Sequence, residues 1–437
     1  VGGLDRFKYL GAEAMLRSGL KLVHRHLWQR LPHQTRRAIL FKVVSWCAPR
    51  ATAKAEAKGP IIIVGMLRHA SGLGAAARAC HDALKHAGLP VYGIDLTTKL
   101  MHEINDPGFQ FDDGRHLLGQ GTVFLHVSGP LLPLAMTYLG RSFVRGKHIV
   151  AHWFWELPQI SGDWSAAIPL VHEICVNTTF VRDAIRPIAG GRPLHVVTHP
   201  LVFDGAPRTM PRDRGPFTAL VVFNIASSFA RKNPCAAIAA FRQAFGDDSS
   251  ARLVVKYMNA DAWPEGLRQM EAAAEGAANI ELTGEVLDRA GIDELYNRAD
   301  VVLSLHRAEG LGLLIAEGML RGLPAVATNW SGSVDFLTRD TGVPVGYTLV
   351  PVNDPQGKYV GPDVLWAEAN VDEAAAALRA LRSDMKWRKE LGVAAAAHAA
   401  RFFHPTRYVE QVKDIVQISY VVHGRDGSVP GGLNQRG

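Results

Sequence analysis

Cysteine is scarce in this chain. The four residues Cys47, Cys80, Cys175 and Cys235 lie far apart, with no Cys-x-x-Cys pair. That spacing argues against a disulfide framework and a structural zinc site, and is compatible with a reducing compartment. No Asp-x-Asp pair occurs, and no His/Asp/Glu set shows metal-ligand spacing along the sequence, so the expected metal complement is none. No long apolar run is present either. The longest charge-free stretch between acidic or basic side chains, 116–140, is broken by Gly129, Pro130 and Pro133, and reads as strand, turn and helix rather than a membrane span. No secretory signal follows Val1. Basic patches interleaved with aromatics are missing, which removes nucleic acid from the expected partners.

What charge there is sits unevenly. The net charge is +7, yet residues 1–58 carry twelve Lys or Arg against three acidic residues. The basic character therefore belongs to an N-terminal extension, and the body is slightly acidic. Leu16, Leu20, Val23, Leu27 and Leu31 recur at helical spacing within it. A basic amphipathic helix fits an anionic membrane surface. It fits equally a helical hairpin packed on the body with its basic face in water.

Beyond this extension, short apolar runs alternate with helical patterns through two α/β stretches. The chain length suits two domains of ordinary size. The expected boundaries are 1–58 for the extension, 59–206 for a first Rossmann-like domain and 214–402 for a second. A last helix within 405–423 returns to the first domain, 425–437 form a flexible tail, and the proline-rich stretch 207–216 is the linker.

The most informative stretch runs Leu303-Ser-Leu-His-Arg-Ala-Glu309-Gly310-Leu311-Gly312-Leu313-Leu314-Ile315-Ala316-Glu317. An apolar strand pattern precedes it, and Gly322-Leu-Pro324 followed by Ala-Val-Ala327 marks a helix stop and a further strand. Strand, glycine loop, helix and strand form a βαβ unit, whose loop lies where open α/β sheets bind ligands. A helix beginning near Leu311 aims free N–H groups at an anion beside Glu309. Two glutamates at this spacing are often mere surface charges; here the surrounding pattern sets them apart.

This segment, with Asp300, Glu309-Gly-Leu-Gly-Leu313, Glu317, Gly322-Leu-Pro324 and Ser331-Gly332-Ser333-Val-Asp335-Phe336, resembles the signature of retaining glycosyltransferases of family 4 (group 1), and in flavour the bacterial polysaccharide enzymes. The likeness extends over about Pro60 to His423. It implies an α/β protein of GT-B fold, with two Rossmann-like doubly wound domains facing a cleft. It implies transfer of a sugar from a nucleotide diphosphate sugar to a glycan or polyprenol-linked acceptor, without metal or cofactor, at the cytoplasmic face of a membrane. By the same resemblance, Glu309 and the N–H groups of Gly310, Leu311, Gly312 and Leu313 hold the transferred sugar, and Glu317 holds the ribose. Arg231 and Lys232 stabilise the diphosphate, His152 positions the donor sugar, and Val286 lies near the nucleobase. Gly72 and Gly74 approach the phosphates. Trp153, Trp155 and Glu156 line the acceptor pocket, unless they form an aromatic core corner.

Two rivals remain at this stage. Gly72-Leu-Gly74-Ala-Ala-Ala77 with Asp95 approximates a dinucleotide fingerprint, which a NAD(P)-dependent oxidoreductase would use. A non-catalytic sugar-binding scaffold of the same fold would need neither carboxylate.

Overall fold

The computed structural model describes residues 43–52, 55–160, 162–210, 215–359 and 363–417. The amphipathic stripe at 16–31 and the tail at 425–437 lie outside the described residues.

The first sheet is built from β1 (Ile61–Gly65), β2 (Val91–Asp95), β3 (Thr122–His126), β4 (His148–Trp153), β5 (Glu173–Val176) and β6 (Leu194–Val196), in the order β2-β1-β3-β4-β5-β6. All its pairings are parallel. The run Ile61-Ile-Ile-Val-Gly65 is buried on both faces, as a parallel strand sandwiched between helices requires. Helix α1 (Gly72–His86), α2 (Leu132–Val144) and α3 (Thr179–Ile185) follow β1, β3 and β5.

The second sheet contains β7 (Phe217–Asn224), β8 (Ala251–Met258), β9 (Ile280–Thr283), β10 (Val301–Ser304), β11 (Ala325–Thr328) and β12 (Gly342–Val345), again all parallel. Its order is β12-β11-β10-β7-β8-β9. Its helices are α4 (Phe229–Lys232), α5 (Pro234–Phe245), α6 (Pro264–Ala274), α7 (Arg289–Arg298) and α8 (Leu313–Leu320). The chain then forms an antiparallel hairpin of β13 (Tyr347–Pro351) and β14 (Leu365–Ala369), then α9 (Val371–Ser383), α10 (Met385–Phe402) and α11 (Pro405–Val416). Asp384 caps α10 and splits the alanine-rich stretch 371–403 into two helices. Helix α11 buries Tyr408, Val409, Val412 and Val416 against the first sheet beside α1.

Strand order fixes where a site can form. From β7 the second sheet grows one way through β8 and β9, then restarts on the other side of β7 with β10. The β7 and β10 loops therefore diverge at a switch point, leaving a crevice at the carboxyl ends of those strands. Asp300 secures this seam: its carboxylate accepts the Thr218 N–H at 2.9 Å, and its own N–H donates to the Thr218 carbonyl at 2.7 Å.

Candidate active site

The short helix α4 beyond β7 ends in Arg231 and Lys232; the loop after β10 carries Glu309. The switch point brings them together. The Glu309 carboxylate pairs with the Lys232 ammonium through one oxygen, and lies 3.3 Å from Arg231 Nη1 through the other. Glu309 is only 8% exposed. Its N–H donates to Ser331 Oγ and its carbonyl accepts from the Gly332 N–H, each at 2.8 Å.

The two cations are held differently. Arg231 is buried, and its guanidinium donates to the carbonyls of Ala308 (2.8 Å) and Ser227 (2.9 Å), with the Tyr359 ring alongside. Lys232 keeps its side chain 23% exposed. Arg231 is therefore fixed in the wall, while Lys232 can reach toward a ligand. Burial pushes the Glu309 carboxyl up, but Lys232 and Arg231 together outweigh it and hold the group at about 2. Burial pulls the Lys232 ammonium down, aided by Arg231 and opposed by Glu309.

Gly312, at φ +95°, is the left-handed residue that turns the loop into α8. The N–H groups of the first turn beyond it have no preceding helical carbonyls to bond, and Leu313 is exposed there. Leu311 sends its side chain into the core, so only its backbone can serve a ligand.

Glu317 does not join the Glu309 cluster. Its carboxylate accepts the Tyr296 hydroxyl at 2.7 Å, on the side of α8 facing α7. Val286 is 100% exposed on the loop after β9.

The two lobes meet around this site. Thr178 Oγ1 donates to the Gly310 carbonyl at 2.9 Å, the Thr179 N–H to Asp335 at 2.7 Å, and the Tyr359 hydroxyl to Glu156 at 3.0 Å. A Cβ on Gly310 would meet the Trp155 carbonyl oxygen at 2.5 Å. Gly310→Ala is thus expected to push the lobes apart and cut kcat/KM at least tenfold, since misplacement of about 1 Å can cost ~10²-fold. Steady-state kinetics check this, with unchanged far-UV circular dichroism showing that the fold persists.

Several expected residues sit elsewhere. Trp153 is a correction: it is fully buried, edge-on to Trp164, with no surface left for an acceptor. His152 is another. It shares strand parity with Val150, so its ring lies beneath α1 and α11 instead of facing the cleft. It is 1% exposed, with Nε2 2.6 Å from Asn177 Oδ1, and burial pulls its pKa to about 4. Trp155 donates through Nε1 to the Gln159 carbonyl and packs edge-on to Trp164 and Tyr359. Glu156 is engaged with Tyr359 across the lobes.

Gly72 starts α1, capped by Ser71, and Gly74 packs under the Met66 and His69 carbonyls. Asp95, which a dinucleotide fold would turn to the ribose, instead accepts from the Arg68 N–H, the Thr97 N–H and the Thr97 hydroxyl. That use of Asp95, and the long loop from Gly65 to Gly72, do not suit the NAD(P) alternative. Thr178, Thr179 and the Tyr359 loop went unread in the sequence. Nothing local marks a threonine pair, or a hairpin loop, as touching another domain.

Residues 221–359 match the family model described as Glycosyl transferases group 1. That span contains Arg231, Lys232, Glu309 and Glu317. No curated protein matches the sequence. Among solved structures, the chain is similar to sucrose-phosphate synthase from Thermosynechococcus elongatus, at 14% identity and TM-score 0.59, covering 82% of this chain and 98% of that one. It is similar also to Anabaena HepE in complex with UDP and glucose, at 14% identity and TM-score 0.55, covering 82% and 99%. A variant of S. aureus TarM, in complex with Fondaparinux, alpha-GlcNAc-glycerol and UDP, aligns at 11% identity and TM-score 0.51, covering 68% of this chain and 55% of that one. The chain spans about half the length of TarM and nearly all of the other two. The shared architecture is GT-B: two Rossmann-like α/β domains facing each other.

Proposed function

We propose that this chain is a glycosyltransferase that moves a sugar from a nucleotide diphosphate sugar to a glycan or polyprenol-linked acceptor, with retention at the anomeric carbon. The observation that carries this reading is the buried Glu309 carboxylate between Arg231 and Lys232, at the switch point of the second sheet. The group 1 family match over the same residues supports it.

In this reading the diphosphate sits beside Lys232 and the first turn of α8. Lys232 exchanges Glu309 for phosphate oxygen, while Arg231 stays in the wall and keeps the local potential positive. Glu309, released from Lys232, accepts hydroxyls of the donor sugar. Glu317, one helical turn past Leu313 on α8, takes the ribose by exchanging its Tyr296 partner. The C1–O bond to the diphosphate breaks as the acceptor hydroxyl oxygen bonds to C1, and the hydroxyl proton passes to the departing phosphate oxygen. No metal is needed where two protein cations take up that charge.

Among the described residues no helix is long and apolar enough to cross a membrane. A polyprenol-linked acceptor would then be met at a membrane surface, for which the basic stretch 1–58 is the proposed contact. Presenting the full chain with UDP-, GDP- and dTDP-sugars tests the function. One donor class is expected to raise the melting temperature and to be slowly hydrolysed. If none binds, the transferase reading fails.

A further inference from the structure

Beneath the cleft lies a cluster that the transfer chemistry does not use. Cys80 on α1, His126 at the end of β3 and His152 on β4 bring their sulfur and ring nitrogens within 4.8 Å of one another. All three are buried. Neither ring nitrogen of His126 has a hydrogen-bond partner, nor does Nδ1 of His152. Buried imidazoles ordinarily satisfy both nitrogens, so two neighbouring rings with orphaned nitrogens beside a buried thiol need an account.

The surroundings favour a cation. Asn177 Oδ1 accepts from His152 Nε2 at 2.6 Å. This places the ring proton on Nε2 and leaves Nδ1, which has no hydrogen-bond partner, with a free lone pair. A carbonyl holding the far nitrogen of a ligating histidine is the usual support for a metal-bound imidazole. His199, also buried, has an unpartnered Nδ1 and lies near enough to His126 and His152 for their charges to interact. Tyr408 of α11 packs in the same buried cluster as Cys80.

We propose that Cys80, His126 and His152 bind one zinc ion, with His199 a candidate for the fourth position. One thiolate and two or three neutral imidazoles form a donor set suited to zinc. In a tetrahedral shell the donor atoms stand roughly 3.5 Å apart, given bonds of about 2.3 Å to sulfur and 2.0 Å to nitrogen. The donor atoms, already within 4.8 Å of one another, draw closer on binding. The Cys80 S–H gives its proton to solvent as the S–Zn bond forms. The histidines ligate as neutral imidazoles. The ion ties α1 to the ends of β3 and β4, next to the switch point of the first sheet. It is structural and leaves the diphosphate chemistry to Lys232. No local pattern in the chain marks it, because its ligands come from three separate elements.

Metal analysis of the full-length chain, expressed without a histidine tag, tests the site. About one zinc per chain is expected. The cobalt-substituted protein should show a thiolate-to-cobalt band and tetrahedral ligand-field bands. Both should vanish in Cys80→Ser and in His126→Asn, and persist in Cys235→Ser. Should those variants fail to fold, the wild-type chain still decides: a chelator should lower its melting temperature, and added zinc should restore it. Substoichiometric metal together with no uptake from buffered zinc overturns the proposal. So does zinc retained by the Cys80→Ser/His126→Asn double variant.

Discussion

Glu309→Gln is expected to lower kcat by at least ~10²- to 10³-fold, the loss typical of removing one pre-organised electrostatic contact. The substitution keeps the shape and one acceptor oxygen, so the loop can retain its bonds to Ser331 and Gly332. It removes the charge that Arg231 and Lys232 share. Two cations then face each other in a buried site with nothing between them, and the free protein should melt lower. A nucleoside diphosphate supplies the missing negative charge, so the variant should gain more thermal stability from nucleotide than the wild type does. Acid sensitivity gives an independent check. The Glu309 carboxyl is depressed from an ordinary value of 4.5 to about 2, with its two cations overcoming the effect of burial. Its contribution to stability is complete above the ordinary value and is lost as pH falls toward the depressed one. In the Gln variant that part of the acid destabilisation should be missing. Urea titrations at pH 6 and pH 3 measure the difference. Near-normal turnover would defeat the assigned role.

How far the site was legible depended on whether its parts were local. The segment from Asp300 to Gly322 is a strand, a glycine loop and a helix in immediate succession. Each step has its own signature: a continuous apolar run, Gly312 at positive φ, and the Gly322 stop. The Arg231-Lys232 pair was legible for a similar reason, since it follows β7 directly. The partnership with Glu309 needed only the strand order, which a doubly wound domain supplies. Failures came where a side chain's direction depended on strand parity or on a distant segment. His152 and Trp153 were placed correctly on a strand and wrongly toward the cleft. One faces α1; the other is buried in the opposite core cluster. The hairpin of β13 and β14 was missed because its strands are short, one of them mostly exposed, and Pro351 ends the first. Its loop nonetheless delivers Tyr359 to both Arg231 and Glu156.

Arg231 and Lys232 are adjacent in sequence, yet replacing each by Met should give opposite profiles. The Arg231 guanidinium is buried, bonded to two main-chain carbonyls, and stands beside Glu309. Arg231→Met strands the carbonyls of Ala308 and Ser227 without those donors and leaves Glu309 with one cation. Breaking a buried charge pair by removing one member costs about 3–5 kcal/mol, so the main result should be a large fall in stability. The Lys232 ammonium donates to Glu309, and its side chain is partly in water. Lys232→Met should therefore cost less stability, with solvent screening part of the pair, while kcat drops by ~10²- to 10³-fold as charge on the leaving diphosphate goes unmet. Denaturant titration and kcat, measured on both variants, separate the two roles. If Lys232→Met instead melts as early as Arg231→Met and turns over normally, Lys232 serves the fold, and the diphosphate must be met by another group.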